Sequence, residues 1–337
     1  MSTAFERRLA DADSAVRELR TVRDLLRWAT SRFTAAGLAY GHGTGNAWDE
    51  AVALLLWSLH LPPEPLDPWL DARLPRAERR AAVDLFERRI DSRLPAAYLT
   101  GEAWLRGMSF ACDARALVPR SPIAEALDEA LSQWLDLHPR APSWPASILD
   151  LCTGGGSLAI VAADRFPDAQ VVGADLSPDA LALAAGNRDR YGLQQRIELV
   201  QGDLFAPVRA RRFDLVLCNP PYVNDASMQA LPPEFRAEPR AALAGGRDGM
   251  DIVRRLLADA PAHLRDDGLL LLEIGHEAAH FEAAFPSLEF HYLPVAAGER
   301  MLVLIEAAQL AAAAARRAPA RRRTSRNSAT RVRARRP

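Results

Sequence analysis

Apolar positions recur every three or four residues over 5–38, 48–59 and 76–90, which predicts helices in the first 95 residues. The proline-rich run L-P-P-E-P-L-D-P at 61–68 interrupts them. Residues 96–120 read differently. There A-Y-L-T-G-E-A-W-L-R-G-M-S-F mixes aromatic residues with two glycines, the pattern of a hairpin linking two domains. From 147 onward short apolar runs alternate with helical periodicity. Strands are expected at 147–151, 170–175, 197–200, 213–218, 269–274 and 302–305, and helices at 158–165, 179–191 and 250–264.

Such alternation predicts an α/β domain, a doubly wound, Rossmann-like sheet of parallel strands with helices on both faces. The expected organisation is a helical domain at 1–95, a hairpin and linker at 96–145, the α/β domain at 146–308 and a basic disordered tail at 309–337. Charge adds one feature that periodicity misses. The formal net charge is −1, yet 316–337 holds ten arginines and no acidic residue, so an acidic body carries a basic tail. That tail suits salt-sensitive phosphate contacts with a nucleic acid, or is a solvated extension. All basic side chains other than histidine are arginine, a bias that points to genome composition rather than function.

The N-terminus, M-S-T-A-F-E-R-R-L-A-D-A-D, is charged and amphipathic rather than a signal peptide, and no apolar run is long enough to span a membrane. The three cysteines, Cys112, Cys152 and Cys218, have neither disulfide nor metal spacing. A reduced, cytoplasmic protein is expected.

The strand at 147–151 runs into Asp150-Leu-Cys-Thr153-Gly154-Gly-Gly156, a glycine turn that lets backbone approach a ligand closely. Gly154-x-Gly156-x-x-Ala159, with Asp175 twenty-one residues on, also fits a dinucleotide fingerprint, so a nicotinamide-dependent dehydrogenase competes. Three acids favour another ligand. Asp150, just ahead of the glycines, repels a pyrophosphate but suits an ammonium group. Asp175 is placed for a ribose diol, and Asp203, followed by Leu204, for the exocyclic amine of adenine. Ammonium, ribose and adenine without phosphate describe S-adenosylmethionine. Each acid alone could be an N-cap or a turn residue.

The strand at 213–218 stops on Asn219-Pro220-Pro221-Tyr222. An amide or aromatic amino group is a poor nucleophile because its lone pair is delocalised. The Asn219 side-chain oxygen and the Pro220 carbonyl can hold its two N–H groups and aim the developing lone pair at a methyl group. The prolines make the turn rigid beforehand, and Tyr222 can wall the site. A plain turn is the competing reading.

These motifs resemble those of class I S-adenosylmethionine-dependent methyltransferases over about 146–306. That resemblance implies cofactor contacts from Asp150, Thr153, Gly154, Gly156, Asp175, Asp203, Leu204 and Asn219. R-L-P-A-A-Y-L-T-G-E-A-W-L-R-G at 93–107, L-V-P-R-S-P-I at 117–123 and A-L-A-G-G-R-D-G-M-D at 242–251 are similar to those of the protein-(glutamine-N5) methyltransferases. Within that family Y-G-H-G-T-G-N-A-W-D-E at 40–50 resembles the branch acting on ribosomal protein L-three. The resemblance implies S-adenosylmethionine as cofactor and a glutamine of a large-subunit ribosomal protein as substrate, engaged by Asn219, Pro220, Pro221 and Tyr222. Adenine N-6 or guanine N-2 methylation, glutamine methylation of a peptide release factor, and a non-catalytic ribosome-assembly scaffold remain as alternatives.

Two further signals carry less. His276-Glu277-Ala278-Ala279-His280 matches the zinc-protease pattern H-E-x-x-H, but no third ligand follows it, so solvated polar residues at a helix start are expected. Cys152 and Cys218 read as packing residues, and His42 as a loop hydrogen-bonding residue or a substrate contact.

Overall fold

The computed structural model describes residues 11–141 and 144–317. The periodic stretch expected at 5–38 is two helices among the described residues, Ala12–Glu18 and Val22–Ala35. Thr21 divides them. Its hydroxyl accepts from the Asp24 N–H while the Asp24 carboxylate accepts from the Thr21 N–H, a reciprocal cap that starts a new helix whatever the periodicity before it. Helices Ala47–Ser58 and Arg76–Ser92 complete the helical domain around Trp28, Phe33, Leu54 and Phe86. Asn46 caps the third helix, its side-chain oxygen accepting from the N–H groups of Trp48 and Asp49 at 3.0 Å each.

The expected hairpin is β1 (Glu102–Leu105) with β2 (Met108–Ala111), antiparallel, around Arg106 and Gly107, both at positive φ as a tight primed turn requires. The stretch after it is more than a linker. Helices Ile123–Asp128 and Ala130–Leu137 place Ile123, Leu127 and Leu131 at four-residue spacing in the core with Ile148, Leu215 and Leu269.

The α/β domain holds seven strands: β3 (Ser147–Leu151), β4 (Gln170–Asp175), β5 (Ile197–Gln201), β6 (Phe213–Cys218), β7 (Leu264–Glu273), β8 (His291–Tyr292) and β9 (Leu302–Glu306). Their order is β5-β4-β3-β6-β7-β9-β8, parallel from β5 to β7, with β9 antiparallel to both β7 and β8. The central strands are buried on both faces, so they read as unbroken apolar runs. Leu215, Leu217, Leu269 and Leu271 enter one core layer, and Val216, Cys218, Leu270 and Leu272 the other. A one-residue slip would exchange the two layers, which pins the register. Strand β7 starts earlier than the expected 269, and β8 is too short to leave a periodic signal.

The alanine run also departs from expectation. It forms a helix, Ala307–Arg317, that buries Leu310 in the core. The remainder of the arginine tail, from 318, lies outside the described residues, as do residues 1–10 of the charged N-terminus. Among the described residues no helix is long and apolar enough to cross a membrane.

Candidate active site

Strand order reverses between β3 and β6, where open parallel sheets leave a crevice at their C-terminal ends. Register pairs Leu151 with Cys218. The glycine loop after β3 and Asn219 after β6 therefore leave the sheet side by side. Asp175 ends the neighbouring β4, and Asp203 follows β5 by two residues.

Asp150 is fully buried. Its Oδ2 accepts from the Thr153 hydroxyl at 2.5 Å, while Oδ1 has no hydrogen-bond partner among the described residues. Burial pushes its carboxyl up to about 7, against the pull of the Thr153 hydroxyl. An unpartnered carboxylate oxygen held there fits a cationic ligand group. The other loop positions are set by backbone geometry. Gly156 opens the helix Ser157–Arg165 at φ +80°, and a Cβ there would lie 3.0 Å from the Ala184 Cβ. The Asp175 carboxylate accepts from the Gly154 and Ser177 N–H groups at 2.8 Å each, tying the loop to the next strand. Asp203 is half-exposed and paired with Arg255 at 2.5 Å, so a ligand amine would share it with that arginine. The Leu204 side chain is buried in the core, with the residue at φ +48°.

The Asn219 side chain makes no hydrogen bond with the described residues and is only partly buried, which leaves its amide oxygen available. Pro220 is buried, and Pro221 and Tyr222 are partly buried. The segment that follows is clamped by A-L-A-G-G-R-D-G-M-D. The Val223 N–H donates to the Leu243 carbonyl and the Gly245 N–H to the Val223 carbonyl, both at 2.9 Å. A Cβ at Gly249 would sit 2.1 Å from the Tyr222 carbonyl oxygen, so only glycine allows this approach.

Residues that sequence reasoning gave no role hold this segment against the helical domain. Glu234 and Glu238, both on the stretch after Tyr222, are buried. Glu234 accepts from the Ala39 N–H at 3.2 Å and pairs with Arg93 at 3.0 Å and Arg89 at 3.6 Å. Glu238 takes a two-pronged pair from Arg120, at 2.5 and 2.7 Å, the Val118 N–H at 3.0 Å, and His42 at 3.3 Å. The His42 ring lies 4.2 Å from that of Phe235. His42 is thus a buried interdomain contact. The sequence held one trace of this arrangement, the Arg120-Ser121 pair inside L-V-P-R-S-P-I.

Burial alone would raise the Glu238 carboxyl, but hydrogen bonds from His42 and Arg120 outweigh it and hold it down to about 2, against 4.5 for a free glutamate. A depressed carboxyl stabilises the fold above the unfolded-state value, and that contribution disappears as pH falls from about 4.5 toward 2. The loss is about 3 kcal/mol. Urea unfolding of Glu238→Gln is therefore expected to depend less on pH across that window than unfolding of the unsubstituted chain.

The zinc-protease pattern is employed otherwise. Asn224 Nδ2 donates to Glu277 at 2.6 Å, the other Glu277 oxygen contacts His280 Nδ1 at 2.5 Å, and His276 is exposed. Glu277 is a buried anchor for the end of the Asn219 segment rather than a solvated residue. No cluster of three metal-ligating side chains occurs among the described residues. Cys152 and Cys218 are free thiols that pack in one core layer.

Comparison with known proteins decides the family. Residues 127–246 match the model of the methyltransferase small domain. A ribosomal protein uL3 glutamine methyltransferase from Bordetella pertussis is 57% identical over 293 residues, 87% of this chain and 97% of its own length. The chain belongs to the ribosomal protein uL3 glutamine methyltransferase family. A relative of the same name from Burkholderia pseudomallei is 53% identical over 88% of this chain and 97% of its own. Another from Xanthomonas campestris is 45% identical over 90% and 96%. The coverage includes both domains, so membership extends to the helical domain. The methyltransferase thus has the α/β fold expected from its sequence, with the six expected strands joined by β8 and with β9 antiparallel, and the dehydrogenase reading falls.

Proposed function

We propose that this methyltransferase moves a methyl group from S-adenosylmethionine to the side-chain amide nitrogen of a glutamine in ribosomal protein uL3. One observation carries the reading: Asn219, with its side chain uncommitted, leaves the sheet beside the glycine loop. That places an acceptor for amide N–H groups next to the place for the cofactor.

The residues present fit this cofactor. Asp150 Oδ1 would face its ammonium group, Asp175 its ribose, and Asp203 with Leu204 its adenine, while Thr153, Gly154 and Gly156 shape the loop around it. When bound, the cofactor supplies an electrophilic methyl group on a sulfonium. The chain supplies orientation. Asn219 Oδ1 and the Pro220 carbonyl accept the two N–H groups of the glutamine amide, which fixes the plane of the nitrogen so that its developing lone pair faces the methyl group. Pro221 keeps the turn rigid, and Tyr222 walls the side of the acceptor. No base need act first, because the nitrogen-bound proton becomes acidic as the new bond forms.

A cationic ligand group beside Asp150 would favour the ionised carboxylate, so binding below pH 7 is expected to release a proton. Calorimetry of S-adenosylhomocysteine binding in buffers of different ionisation enthalpy measures this. Asp150→Asn should abolish the component that depends on Asp150.

The substrate assignment rests on the names of the relatives, and a cytoplasmic location follows from a ribosomal target. The arginine tail is suited to salt-sensitive phosphate contacts with ribosomal RNA. The test is labelling of lysate from a strain lacking the enzyme with radioactive S-adenosylmethionine, with and without nuclease. A single nuclease-resistant band at the mass of uL3 is expected. Label lost with nuclease would instead mean that Asn219 serves a nucleic-acid base.

A further inference from the structure

The end of β7 forms a seat for Tyr222. The Tyr222 hydroxyl donates to Glu273 Oε1 at 2.8 Å, and the Ser121 hydroxyl donates to the other oxygen, Oε2, at 2.5 Å. Two residues on, a Cβ at Gly275 would fall 2.4 Å from the Tyr222 ring, so the ring lies directly against that glycine. Two residues further, Glu277 holds Asn224. Positions 273, 275 and 277 thus hold the two ends of Y-V-N, one by hydroxyl and ring and the other by side-chain amide.

Glu273 is almost completely buried; among the described residues no arginine or histidine donates a hydrogen bond to it, and Arg120 acts on it through its charge alone. Its two neutral donors engage different oxygens. Ser121 is seated where its own oxygen also accepts from the Ile123 N–H at 3.3 Å, at the start of a core helix. Burial raises both the Glu273 carboxyl and the Tyr222 phenol, so Tyr222 remains the neutral donor. A buried carboxylate satisfied in this way is costly to leave unpaired and fixes the directions of both donors.

We infer that Glu273, held from behind by Ser121, is the positioning residue that sets the Tyr222 ring as the wall of the acceptor site. The inference rests on the role proposed for Asn219–Tyr222 and adds the group that aims it. It acts on the orientation of the bound amide, so its loss falls on kcat rather than on cofactor binding.

The test is a double-mutant cycle on uL3 methylation, with S-adenosylhomocysteine affinity measured alongside. Glu273→Leu is expected to lower kcat about 10-fold or more, with KM and inhibitor affinity within about threefold of the unsubstituted enzyme. Glu273→Gln keeps an oxygen for the Tyr222 hydroxyl and is expected to recover kcat to within about threefold. Adding Glu273→Leu to Tyr222→Phe should cost less than about threefold beyond the worse single change, because both break one hydrogen bond. If Glu273→Leu does not fold, the same cycle is run with Ser121→Ala. That change should lower kcat about threefold alone and leave kcat unaltered in the Tyr222→Phe background. Multiplying losses, or a Glu273→Gln enzyme as impaired as Glu273→Leu, would overturn the inference alone. An unsubstituted enzyme that fails to methylate uL3 would overturn the functional reading and this inference with it.

Discussion

Asn219→Ala is expected to lower kcat for methyl transfer by about 100-fold or more, the scale seen when one preorganised hydrogen-bonding group is removed from a reacting centre. The Asn219 side chain makes no hydrogen bond within the described fold, so its removal breaks no structural hydrogen bond. Stability should change by less than about 1 kcal/mol. Affinity for S-adenosylhomocysteine should stay within about threefold, because Asp150, Asp175 and the glycine loop are untouched. Single-turnover kinetics and calorimetry separate the two quantities. Equal loss of turnover and of inhibitor affinity would move Asn219 from the acceptor side of the site to the cofactor side.

The second large effect lies far from the chemistry. Arg89 is fully buried between two buried carboxylates. Its Nε donates to Glu50 at 2.8 Å, Nη2 to the Ala39 carbonyl at 3.1 Å, and Nη1 lies 3.6 Å from Glu234. Burial raises the Glu50 carboxyl while Arg89 pulls it down, so removing the arginine takes away the main counterweight to burial. Glu234 keeps Arg93 and the Ala39 N–H, whereas among the described residues Glu50 keeps a single hydrogen bond, from the Thr44 hydroxyl at 3.1 Å. Arg89→Ala is expected to cost about 3–5 kcal/mol in urea unfolding, the scale for breaking a buried ion pair from one side. Arg89→Met combined with Glu50→Gln should regain much of that, since no unpaired charge then remains. A loss equal to that of Arg89→Ala would mean that packing, not charge, is what Arg89 supplies.

The sheet was legible because its central strands are rich in apolar residues and a glycine or proline follows each within about three positions. Strands β3, β4 and β6 match their expected limits for this reason. The Asn219 and Asp150 segments stood out because their residue types are those the proposed methyl transfer would use. What stayed hidden depends on partners far apart in the chain. Glu273 looks like the polar end of a leucine run, and its role needs Ser121, 152 positions earlier. Glu238 sits in a proline-rich stretch without periodicity, and its partners, His42 and Arg120, lie 196 and 118 positions away. Glu277 was obscured by a metal motif that it happens to match. Helix Ile123–Asp128 was lost among prolines, although its Ile123 and Leu127 have the spacing of a buried face. Local pattern reports elements and reactive groups, whereas the carboxylates that aim them become visible only once the chain is folded.

The most direct measurement is peptide mapping by mass spectrometry of uL3 purified from a strain lacking this enzyme, before and after the gene is restored. One added methyl on a glutamine side chain, present only when the gene is present and absent with Asn219→Ala, is the expected result. An unmodified uL3 in both strains, or a methyl on another residue type, would contradict the account.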